Sequence, residues 1–182
     1  MGIYLNQNNI MFSKDINSDI YVDKTLLIEQ TNKYINTNSQ YVCISRPRRF
    51  GKSMAANMLT AYYSRGCDSR EMFENLKISK ADSFEKHLNK YNVIHIDVSS
   101  FWDAYKDNVI EKIQEYIYDE LKQVYGDQID YTKMISAVLM SVYNISDIPF
   151  VIIIDEWDCV IRNGGNKTLV HSYLQFLHLL FK

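Results

Sequence analysis

A chain of 182 residues, 47% hydrophobic and 23% charged, can bury roughly 70% of its unfolded surface, and fourteen tyrosines with eight phenylalanines argue against a disordered polymer. A net charge of −2 excludes a global basic field for nucleic acid or membrane, and no apolar run approaches the ~18 residues of a membrane span. The three cysteines, Cys43, Cys67 and Cys159, are an odd number without C-x-x-C spacing, so no disulfide framework is expected, and Cys43 and Cys159 read as small hydrophobes.

Residues 1–20, rich in Asn, Ser and Asp, read as an extended or loosely packed lead-in. Their start has no basic segment followed by an apolar one, which predicts a cytoplasmic chain. Tyr21-Val22-Asp23-Lys24-Thr25 opens a helical pattern with Leu26, Leu27 and Ile35 on its apolar face and Asp23 or Thr25 as N-cap. The apolar run Tyr41-Val42-Cys43-Ile44 is the first predicted strand. A helix from Met54 to Tyr63 follows, with Met54, Met58, Leu59 and Tyr62 at spacings of three and four and Gly66 suited to the position past its end.

Residues 67–90 form a charged, broken helical region, and Val93-Ile94-His95-Ile96-Asp97-Val98 is the second predicted strand. Ser99 and Ser100 would cap one long helix from Phe101 to about Val124, its face built on Val109, Ile113, Tyr116, Ile117, Leu121 and Val124. A helix over residues 132–143 leads to the third strand, Phe150-Val151-Ile152-Ile153-Ile154, whose five consecutive apolar residues fit a strand covered on both faces. A loop containing Gly164-Gly165 and a helix from about Lys167 to Phe181 finish the chain. Alternating strands and helices predict an α/β fold, a mostly parallel sheet between helical layers, with ligands at the carboxyl ends of the strands.

Between the first strand and its helix stands Ser45-Arg46-Pro47-Arg48-Arg49-Phe50-Gly51-Lys52-Ser53. Strand, loop and helix in that order, closed by Gly-Lys-Ser, are the context of a phosphate-binding loop. N–H groups left unpaired at a helix start, together with the helix dipole, favour phosphate oxygens there. Gly51 would let the backbone approach, Lys52 would reach the β- and γ-phosphates, and the Ser53 hydroxyl would ligate Mg²⁺. The first glycine of the general pattern is replaced by Arg46, so a basic turn that merely caps a helix is the competing reading.

Directly after the third strand come Asp155, Glu156, Trp157 and Asp158. Asp155 would hold Mg²⁺, a hard cation that prefers carboxylate and phosphate oxygens, and Glu156 would orient the attacking water. An acidic strand tip can also be only a solvated end.

Together Tyr21-Val22-Asp23-Lys24-Thr25, Arg46-Pro47-Arg48-Arg49-Phe50-Gly51-Lys52-Ser53, Met72-Phe73-Glu74-Asn75-Leu76-Lys77-Ile78 and Ile153-Ile154-Asp155-Glu156-Trp157-Asp158 resemble the successive motifs of the AAA-ATPase-like family of P-loop proteins. The resemblance covers nearly the whole chain and includes an arginine at the first-glycine position. It implies a three-layer P-loop NTPase fold over residues 21–182, with residues 1–20 as lead-in. Arg46, Pro47, Arg48, Arg49, Phe50, Gly51, Lys52, Ser53 and Met54 would bind the nucleotide. Ser53 and Asp155 would hold the metal, and Lys52 and Glu156 would be catalytic. ATP and Mg²⁺ would be the ligands of a hydrolase whose cycle drives a conformational switch, with room for a homo-oligomer. Family members are typically longer, with a sensor strand, a helical lid and often a nuclease-like domain that could meet nucleic acid, so a chain incomplete at its C-terminus is expected. The alternatives are a nucleotide-binding module without turnover and a nucleic-acid or interaction domain that uses the basic loop directly.

Overall fold

The computed structural model describes residues 2–45, 47, 49–163 and 166–181. Two β-branched runs pair in parallel at its centre, β1 (Asn92–Asp97) and β2 (Phe150–Asp155), in a register that sets Asn92 opposite Phe150 and Asp97 opposite Asp155. The two-residue period of a strand sends alternate side chains to opposite faces. Val93, Val151 and Ile153 meet one apolar cluster, and Ile94, Ile96, Phe150, Ile152 and Ile154 meet another.

The first cluster gathers α1 (Ile10–Ile16) through Phe12, α2 (Leu26–Asn32) through Ile28 and α3 (Lys52–Tyr63) through Met58, Leu59, Tyr62 and Tyr63. The short helices α4 (Arg70–Phe73) and α5 (Phe84–His87) close it with Phe73 and Phe84. The second cluster takes α6 (Val98–Tyr105), α7 (Val109–Tyr125), α8 (Ile135–Ser146), α9 (Cys159–Arg162) and α10 (Lys167–Leu180). The result is a mixed α/β architecture with a small parallel sheet. No described helix is long and apolar enough to cross a membrane.

Residues 4–6 lie antiparallel along the outer edge of β1: Leu5 bridges Ile94, Asn6 N–H donates to the Val93 carbonyl (2.7 Å), and His95 N–H donates to the Tyr4 carbonyl (2.9 Å). The Glu120 carboxylate on α7 accepts the N–H groups of Ile3 (2.6 Å) and Leu5 (2.7 Å). With Leu5 and Phe12 buried as well, the N-terminal segment is packed, unlike the loose lead-in expected. Edge pairing is a property of tertiary placement that an Asn-rich composition does not reveal.

Other expectations also change. Residues 41–44 form no strand; Tyr41 is 59% and Val42 46% exposed, and Cys43 is exposed rather than packed. A strand exists only where a neighbour accepts its backbone hydrogen bonds, and among the described residues the sheet consists of β1 and β2 alone, with no strand paired to this segment. For the same reason β2 is half-buried along its whole length, where cover on both faces was expected.

The single helix predicted after Ser100 is two, broken at Lys106 (φ 45°) and a 3₁₀ turn over Lys106–Asn108. Apolar spacing from Phe101 to Val109 suits an unbroken helix, so periodicity hides the break. Tyr125, not Val124, completes the buried stripe of α7. Gly66 does not end α3, which stops at Tyr63; a Cβ on Gly66 would stand 2.2 Å from the Asn6 carbonyl oxygen, so its glycine serves a close approach. Gly164 and Gly165 lie outside the described residues.

Candidate functional site

α3 runs against the sheet with its amino end toward the carboxyl ends of the strands. Past its last turn Ser64 bridges Tyr91, just before β1, and one turn earlier Thr60 Oγ1 meets His95 Nδ1 at 3.1 Å. From Thr60 back to Lys52 the helix rises ~12 Å, while His95 to Asp97 spans only ~7 Å of strand. Lys52 and Ser53 therefore stand at the end of the sheet that carries Asp97 and Asp155. Alternation places both carboxylates on the face of Val93, His95, Val151 and Ile153, which is the face α3 covers.

The loop that enters α3 is held in a left-handed conformation at Arg49 (φ 68°) and Gly51 (φ 74°, ψ 35°). Gly51 is the N-cap and has no side chain to offer, so the first turn presents its backbone N–H groups uncapped by that residue; Ala55 N–H closes the turn onto Gly51 O (3.0 Å). Lys52 is half-buried and its Nζ donates to the Pro47 carbonyl at 3.4 Å. Ser53 is exposed, Met54 half-buried, and Phe50 62% exposed. Lys24 reaches the loop from the segment before α2, its Nζ donating to the Phe50 carbonyl at 2.9 Å. Arg46 and Arg48 lie outside the described residues.

At the tip of β2, Asp155 Oδ1 accepts the N–H of Glu156 (2.9 Å). Glu156 itself has φ 50°, a conformation that costs a non-glycine residue ~1–2 kcal/mol. Its carbonyl accepts Cys159 N–H (2.9 Å), and its carboxylate pairs with the guanidinium of Arg162, which also holds Asp158 at 2.8 Å. Tyr173 donates to the Trp157 carbonyl (2.7 Å), so α10 steadies the same turn.

Asp97, in register with Asp155, is engaged differently. Its carboxylate caps α6, accepting Ser99 N–H (2.9 Å) and the hydroxyls of Ser99 (2.6 Å) and Ser100 (2.7 Å). Burial pushes this carboxyl up, but the serine hydrogen bonds outweigh it and hold it below its ordinary value. The serines expected to cap the helix are thus donors to the cap. Behind the two acids, burial pushes the His95 imidazole down, against the pull of Asp155 and Asp97.

The chain belongs to the AAA-ATPase-like family, whose model, described as Predicted AAA-ATPase, matches residues 11–182. No curated protein and no solved structure matches it.

Two residues of this region were missed by the sequence reading. Lys24 lies in a motif quoted for the family resemblance, yet nothing local says that it reaches residue 50. Arg162 lies six residues past Glu156, on a short helix, α9, that periodicity did not announce. A shallow hollow on α7, lined among others by Glu111, Glu115, Asp119 and Tyr131, carries none of the candidate residues, and its carboxylates suit no phosphate.

Proposed function

We propose that this chain is a P-loop ATPase domain over residues 21–182, with the three-layer fold of that class, binding ATP and Mg²⁺ at the junction of α3 and β2 and coupling hydrolysis to a conformational switch. What supports the reading is that the amino end of α3 and the carboxylate of Asp155 lie toward the same end and on the same face of the sheet. Family membership is its second support.

In this reading the N–H groups of residues 51–54 and the Lys52 ammonium take the β- and γ-phosphate oxygens. Ser53 and Asp155 are hard oxygen donors, the kind that Mg²⁺ accepts alongside substrate phosphates, and they would hold that ion. When bound, the ion would supply positive charge that offsets the charge developing on the phosphate oxygens. Glu156 orients water for in-line attack on the γ-phosphorus; the bond from that phosphorus to the bridging oxygen breaks, giving ADP and phosphate.

The pairing of Glu156 with Arg162 favours a second reading, a nucleotide-binding module without turnover, because the carboxylate that should meet water meets a guanidinium. Calorimetric ATP titration with steady-state hydrolysis separates the two. Lys52→Ala should lose binding, and Glu156→Gln should keep binding and lose turnover by ~10²–10⁴-fold. Wild-type binding without hydrolysis supports the module. Equal ATP affinity in wild type and Lys52→Ala rejects both, and salt-dependent DNA binding that ignores ATP points instead to the basic loop as a nucleic-acid surface.

A further inference from the structure

Lys24 sits in a turn built to hold it. Asp23 Oδ1 accepts Thr25 N–H (2.8 Å) and the Thr25 hydroxyl (2.6 Å), and Asp23 Oδ2 accepts Lys77 N–H (2.8 Å). Thr25, 0% exposed, accepts Ile78 N–H at 3.1 Å. Burial pushes the Asp23 carboxyl up, but the hydrogen bonds from Thr25 and Lys77 outweigh it and keep the carboxyl below its ordinary value. From this anchored base the side chain crosses to a different part of the chain. Its Nζ donates to the Phe50 carbonyl at 2.9 Å and lies 2.9 Å from the point a Cβ on Gly51 would occupy.

Phe50 and Gly51 share one peptide unit. In a trans peptide the carbonyl and the N–H point in opposite directions, so the bond that draws Phe50 C=O toward Lys24 turns Gly51 N–H to the other side. Nothing in the local sequence would otherwise choose that orientation, because Gly51 adopts either sign of φ with similar ease. Flipping this peptide would redirect one of the donors that a phosphate oxygen meets at the start of α3.

Resting on the nucleotide reading above, we infer that Lys24 is a positioning residue of the phosphate loop: it fixes the Phe50–Gly51 peptide so that the loop is set for the polyphosphate of a nucleotide before the ligand arrives. The chemistry it serves is phosphate, not base or sugar. Its effect therefore appears equally with ATP and with inorganic tripolyphosphate.

The test is calorimetric titration of ATP and tripolyphosphate into wild type, Lys24→Met, Lys24→Arg and Lys52→Ala, with the melting temperature of each. A hydrogen bond from a charged donor at an exposed position predicts that Lys24→Met weakens both ligands about tenfold, while the donor retained in Lys24→Arg keeps affinity within about threefold of wild type. The melting temperature of Lys24→Met should stay at the wild-type value. Should Lys24→Met not fold, Lys24→Gln, which keeps an N–H donor on a shorter stem, must fall between wild type and Lys52→Ala. Wild-type affinity in Lys24→Met with binding lost in Lys52→Ala overturns this proposal and leaves the nucleotide reading standing. An arginine variant as weak as the methionine one also overturns it, since the donor would not be what matters. Equal affinity in wild type and Lys52→Ala removes the nucleotide reading and this proposal with it.

Discussion

Replacing Asp97 and Asp155 one at a time separates a helix cap from the carboxylate proposed to hold Mg²⁺. The two are register partners at the same end of the same small sheet. Asp97 accepts three hydrogen bonds from Ser99 and Ser100 at the start of α6, so Asp97→Ala removes an N-cap and leaves those donors to water. Loss of such a cap costs ~1–2 kcal/mol. For a chain of this length that corresponds to a melting temperature lower by ~2–8 °C, and in urea to an earlier midpoint at unchanged slope. Asp97→Asn, which can still cap, should recover most of the loss. The carboxyl of Asp97 is held below its ordinary value in the folded chain, so its contribution is present above that ordinary value and is lost as pH falls through the folded one. The gap between wild type and Asp97→Ala should therefore close in acid. ATP affinity in Asp97→Ala should stay at the wild-type level. Asp155→Asn should do the reverse, keeping the urea midpoint while losing the Mg²⁺ dependence of ATP binding. An Asp97→Ala chain with an unmoved midpoint and abolished binding would refute the division of roles.

Arg162→Ala frees the Glu156 carboxylate from its guanidinium partner, and steady-state assays should find a higher kcat at unchanged KM, with little change in melting temperature because its ion pairs with Glu156 and Asp158 lie at the surface. His95 is depressed from its ordinary 6.5 by burial, so the unfolded chain binds the proton more readily, and this residue's share of stability is present above 6.5 and lost as pH falls below it. Urea midpoints at pH 7.5 and 5.5 should thus fall further in wild type than in His95→Gln. Gly66→Ala places a Cβ 2.2 Å from the Asn6 carbonyl oxygen, forcing apart the segment that edges β1, and should destabilise by ~1–3 kcal/mol in the same assay.

The local rules were legible wherever the signal is local. The period of α3, the β-branched runs of β1 and β2, the stop at Gly126 and the order of Gly51, Lys52, Ser53, Asp155 and Glu156 all follow from spacing and residue chemistry within a few positions. What depends on distant partners was not. Residues 41–44 have strand composition and no strand, because hydrogen-bond acceptors must come from another segment. The cap of α6 is local too, with Ser99 and Ser100 only two and three residues past Asp97, but the roles are exchanged: the aspartate accepts and the serines donate.

By itself the sequence determined which chemistry the chain can host, since ammonium, hydroxyl and carboxylate groups are fixed by residue type and the motifs by their order. Tertiary structure alone decided how distant segments are arranged: α3 turned back along the sheet so that its amino end points toward the strand ends that carry Asp97 and Asp155, and Lys24 carried across to the Phe50 carbonyl. The reason is that helix and strand periods are set by neighbours a few residues away, whereas the pairing of side chains far apart in sequence is set by which apolar faces bury against each other, and that is a property of the whole chain.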